Sequence, residues 1–136
     1  MPLAPLFDRL RELALPAGDW VIGGSAPLLA HGLIDAVNDI DVVARGAAWE
    51  RACELGVPQP GEHGDRRVRL CDNLIEVFDG WSLMPWSADE LVAEAQWHLG
   101  LPFMPLARVL AFKRQLARPK DVAHIRLIEA HLRDGH

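Results

Sequence analysis

Between residues 21 and 43 the chain reads VIGGSAPLLAHGLIDAVNDIDVV, and this stretch constrains the fold more than any other. A short apolar run stops at the pair Gly23–Gly24, a brief helical segment follows, and a second apolar run opens with Asp39 and Asp41 alternating with Ile40 and Val42. Apolar runs of four or five residues closed by glycine read as strands. Ser25 suits a helix N-cap and Pro27 its first turn, so a helix over APLLAHGL closing near Gly32 is expected between them. Side chains alternate faces along a strand, which puts Asp39 and Asp41 on one face roughly 6–7 Å apart. Two carboxylates that close repel each other unless water or a cation meets them.

The rest of the chain is read by the same periodicities. PLFDRLRELAL (residues 5–15) and GAAWERACELG (46–56) have helical spacing, and RRVRL and LIEVFD read as strands joined by a hairpin at Asp72–Asn73. Ser87 with Glu90 three residues on is a capping box, opening a helix expected over residues 87–99. GLPFM is a brief extended piece. Two helices follow, divided at Arg118–Pro119 because proline disfavours helical geometry in the residue before it. The order predicts an α+β fold: one domain over residues 1–136, with a mixed sheet of about four strands and helices packed against it. Its sheet-containing part is expected over 1–100 and its C-terminal helices over 101–136.

Charge is distributed unevenly. Residues 1–100 carry 16 acids against 7 Lys or Arg, whereas residues 101–136 carry 3 acids against 7. Both lysines of the chain, Lys113 and Lys120, lie in the basic part. An acidic half facing a basic half suits a site where metal-binding carboxylates confront groups that hold an anion. The net charge of −5 argues against broad DNA binding. The charged pattern of residues 1–15 is not that expected of a signal peptide, no apolar run is long enough for a membrane span, and Cys53 and Cys71 are isolated, so a cytoplasmic protein is expected.

A glycine pair at a strand end lets a phosphate approach the backbone, and a helix start behind it offers free N–H groups. A plain tight turn is the other reading of the glycines, and a solvated strand end the other reading of Asp-x-Asp. Their order along the chain favours the joint site. GGSAPLLAHGL…NDIDVV resembles the signature of the DNA polymerase β-like nucleotidyltransferase superfamily, especially its minimal toxin-type and antibiotic-modifying members. The resemblance implies a phosphate cradle at Gly23, Gly24 and Ser25, metal ligands at Asp39 and Asp41, and a third acid on a later strand. Glu76 in LIEVF fits that third position; Asp79 falls on the opposite face of a regular strand. LARVLAFKRQLARPKDVAHIRLIE is similar to a helical segment of the same enzymes, which implies phosphate contacts from Lys113 and Lys120, with Asp121 fixing the junction.

The activity so implied is a Mg²⁺- or Mn²⁺-dependent transfer of NMP from an NTP to a hydroxyl acceptor, whether a protein side chain, a tRNA end or a small molecule. The alternatives are an inert binding module of that fold, such as a toxin–antitoxin partner protein, and a glycosyltransferase using Asp-x-Asp. The chain departs from the family pattern at Asp35 and Val37, where relatives place an arginine and a threonine, and at His124, where they carry a second Asp. His31 and His98 read as packing or surface residues, Cys71 as a core thiol, and Trp81 and Trp86 as capping the core rather than stacking on a base.

Overall fold

A computed structural model describes residues 5–62, 64–81 and 83–134. Among these residues the sheet has seven strands, numbered in chain order. At its centre lie β1 (Trp20–Gly23), β2 (Ile40–Ala44) and β5 (Ile75–Phe78). β1 and β2 run antiparallel with Gly23 opposite Asp41, and β2 runs parallel to β5 with Asp41 beside Glu76. β4 (Arg66–Leu70) pairs antiparallel with β5, and the two-residue β3 (Gln59–Pro60) pairs with β4 at one edge. β7 (Leu101–Phe103) pairs parallel with β1, and β6 (Gln96–His98) closes the other edge antiparallel to β7.

Alternation along β2 divides the interior. Ile40, Val42 and Ala44 join Ile22, Ile75 and Val77 against α1 (Pro5–Glu12) and α3 (Gly46–Leu55), which bury Phe7, Leu10, Ala48 and Ala52. Val43 turns to the other face with Val21. There it meets Leu28 of α2 (Ala26–Ala30), Leu91 of α4 (Ala88–Ala93), Val109 of α5 (Leu106–Leu116) and Ile128 of α6 (Pro119–Arg133). Asp41, Glu76 and Phe78 share that second face. Where the helices stop short of it, the sheet is left open.

Two expectations need correction. The sheet has seven strands rather than about four and extends past residue 100, because β7 precedes the last two helices. The helix opened by Ser87 ends at Ala93, and residues 96–98 form a strand instead. The reason lies at Leu99 and Gly100: both have positive φ (60° and 76°), which reverses the chain into a two-residue hairpin and lends β7 a partner. Within β5 only Ile75 and Val77 are fully buried, while Glu76 and Phe78 are half-buried on the open side. The expected β4–β5 hairpin is present, its turn carrying positive φ at Cys71, Asp72 and Asn73. Among the described residues no helix is long and apolar enough to cross a membrane.

Candidate active site

The open end of the second face is a cleft of about 600 Å³. Its floor comes from β2 and β5. Asp39 precedes the first residue of β2, Asp41 lies within that strand, and Glu76 lies on the neighbouring parallel strand. Asp39, Asp41 and Glu76 each bring a carboxylate oxygen within 4.8 Å of the others. Burial, then the charges of Asp39 and Glu76, push the Asp41 carboxyl up from 3.8 to about 7, although Arg118 and Lys113 pull the other way. Glu76 is met from β4, where Arg67 Nη1 is 3.2 Å and Arg69 Nε 3.4 Å from its Oε2. Asp79 takes no part in the cleft. Its carboxylate accepts from the Arg66 backbone N–H at 2.9 Å and from Arg66 Nε at 2.8 Å, tying β5 to its neighbour strand.

The two glycines do different work. Gly24 lines the cleft with φ +66°, and a Cβ there would sit 2.8 Å from Asp41 Oδ2. Only glycine takes that backbone without strain and leaves space for the carboxylate. Gly23 lies outside the cleft lining, and a Cβ on it would strike Met104 Cε at 2.7 Å. Its place in the expected phosphate cradle therefore falls to core packing.

Ser25 stands at the N-cap of α2, yet its hydroxyl makes no capping hydrogen bond. Instead it accepts from Lys113 Nζ at 2.9 Å and lies 3.5 Å from His124 Nδ1. A helix of five residues carries little dipole, so positive charge behind Ser25 comes chiefly from Lys113. Lys113 is only 2% exposed and Asp121 only 1%, and they pair at 3.2 Å. Burial draws the Lys113 ammonium below the usual lysine range, against the pull of Asp121. Burial would raise the Asp121 carboxyl, but hydrogen bonds from Arg118 and the charge of Lys113 hold it at about 2. Arg118 Nε donates to Asp121 Oδ2 at 2.8 Å and its backbone N–H to the same oxygen at 3.3 Å, which closes the start of α6. Lys113 is thus a nearly buried cation that lines the cleft and donates to Ser25, whereas Lys120 is exposed at the rim.

No family model, curated protein or solved structure matches the chain.

What the cleft can do therefore rests on its own residues. An all-oxygen donor set under mutual repulsion suits a hard divalent cation such as Mg²⁺ or Mn²⁺. Around the acids stand cations that sequence reading did not assign to the site, Arg67 and Arg118. Asp35 lies outside the lining and Val37 within it, and the positive charge around the acids comes from β4 and the start of α6. The alternation of RRVRL marked Arg67 as one face of a strand, but nothing in the sequence paired that face with Glu76. His124 also lines the cleft, its imidazole held below the usual range by burial and by Lys113. Trp81 is buried, its ring centroid 4.7 Å from that of Phe112, so it walls the cleft as part of the core. Trp86 lies elsewhere, beneath the Arg108 guanidinium.

Proposed function

We propose that the chain is a metal-dependent nucleotidyltransferase of the polymerase β-like type, moving NMP from an NTP to a hydroxyl acceptor. The observation that carries this reading is the convergence of Asp39, Asp41 and Glu76 in a cleft that Gly24 and Ser25 also line, with Lys113 hydrogen-bonded to Ser25. Asp39, Asp41 and Glu76 would hold the cation, which when bound supplies Lewis-acid activation of the phosphoryl group and charge for the departing pyrophosphate. Gly24 lets the Asp41 carboxylate pack against its backbone, which seats that acid at the cleft. Ser25, polarised by Lys113, offers its hydroxyl to the phosphate oxygens, and Lys120 and Arg118 add positive charge at the rim. Position and electrostatics are what this chemistry needs from a protein. The acceptor would be a protein side chain, a tRNA end or a small hydroxylated molecule.

A second reading, an inert binding module or toxin–antitoxin partner, is favoured by one observation. Glu76 is already met by Arg67 and Arg69, which lowers its need for a metal. Pyrophosphate release from each of the four NTPs, with Mg²⁺, Mn²⁺ or EDTA and with pools of tRNA, protein and small polyols as acceptors, separates the two. Release that needs metal and vanishes in Asp39→Asn supports the transferase. No release with any acceptor, together with no metal-induced rise in Tm, supports the inert module.

A further inference from the structure

Glu76 is claimed from two directions. On one side are Asp39 and Asp41, with which it would share a divalent cation; on the other is Arg67, one strand away. The Arg67 and Glu76 side chains are each 16% exposed. Arg67 lines the cleft, and its Nε is buried with no hydrogen-bond partner among the described residues. A dry guanidinium N–H is costly in a folded protein, and this one is at the wall of a cleft able to admit a ligand. Arg69 also reaches Glu76, but its side chain is 39% exposed and outside the cleft lining. The two arginines have the same charge partner and differ in access to the cleft.

We propose that Arg67 is an anion-binding residue of this cleft, taking a phosphate group of the triphosphate when a divalent cation occupies Glu76. The inference rests on the metal-dependent reading above. A guanidinium presents paired donors that match phosphate oxygens, a geometry no lysine reproduces. Because Arg67 and the cation share Glu76, the two ligands are coupled. A cation that takes over the carboxylate charge leaves the guanidinium without its partner, and an anion restores one. By linkage, each ligand then tightens the other.

The test is calorimetric. Mn²⁺ is titrated into the full chain, and the Mn²⁺–pyrophosphate complex is then titrated into the Mn²⁺-saturated protein, for wild type, Arg67→Gln, Arg67→Lys and Arg69→Gln. Pyrophosphate alone is titrated in EDTA in parallel. Arg67→Gln should bind Mn²⁺ at least as tightly as wild type and lose about tenfold or more in pyrophosphate affinity, the worth of a charged hydrogen bond. Arg67→Lys should recover only part of it, and guards against a Gln variant that fails to fold. Arg69→Gln should change it less than about twofold, as expected of an exposed charge. Mn²⁺ binding with pyrophosphate affinity untouched in both Arg67 variants overturns the Arg67 assignment and leaves the metal reading standing. Wild type that binds pyrophosphate through Arg67 but takes up no Mn²⁺ keeps the anion site and overturns the metal reading with its coupling. Binding of neither ligand overturns both.

Discussion

Replacing Asp41 with Asn should stabilise the metal-free protein at pH 8. Asp41 is forced to ionise in a half-buried site beside Asp39 and Glu76, which raises its carboxyl from 3.8 to about 7. An acid with a raised native value keeps its proton in the folded chain after the unfolded chain has lost it. Stability therefore falls as pH rises from about 4 to 7 and levels off above. At about 1.36 kcal/mol per pKa unit the ceiling is roughly 4 kcal/mol, and water in the open cleft reduces it to roughly 2. Asn removes the charge at nearly constant volume. Urea unfolding in EDTA should then show no difference between wild type and Asp41→Asn near pH 4. Above pH 7 the variant should gain about 2 kcal/mol, or about 6 °C in Tm for a domain of this length. Millimolar Mn²⁺ should reverse the order by stabilising the wild type alone. A variant less stable than wild type at pH 8 would refute the reasoning, because Asp41 would then be a structural partner of Arg118 and Lys113 rather than a strained ligand.

Three further outcomes are expected. Glu76→Gln should lower turnover by orders of magnitude, whereas Asp79→Asn should change it only a few-fold, since Asp79 is spent on Arg66; pyrophosphate release measures both. Lys113→Ala should destabilise the fold by about 3 kcal/mol, because it strands the buried Asp121 carboxylate, and denaturant midpoints report it. His31, whose ring centroid lies 4.6 Å from that of His98 and 5.5 Å from that of His131, is held below 6.5 by burial and then by those two neighbours. The unfolded chain protonates first at this group, so its penalty is absent above pH 6.5 and grows as pH falls below it. His31→Gln should flatten the loss of stability between about pH 7 and 5.

Much of the local order is legible in residues that act over short distances. The Ser87–Glu90 box, the break at Pro119 and the strand end at the glycine pair each obey backbone sterics or hydrogen bonding within a few positions, and the structure has each of them. Strand parity likewise separates Glu76 from Asp79 without any knowledge of neighbours, since alternate side chains must point apart. Partners distant in the chain are another matter. That β2 lies parallel to β5, with Asp41 beside Glu76, follows from the burial of Ile40, Val42, Ile75 and Val77 together, which no local window encodes. The strand at residues 96–98 exists because β7 offers it a hydrogen-bonding edge; within its own window it reads as the end of a helix. Lys113 and Arg67 show the same limit. Their charges are plain in the sequence, but whether a cation is exposed, buried against Asp121 or aimed at Glu76 depends on which elements close over it. Local sterics and periodicity are properties of the chain alone, whereas burial and charge pairing are properties of the space that the packed chain encloses.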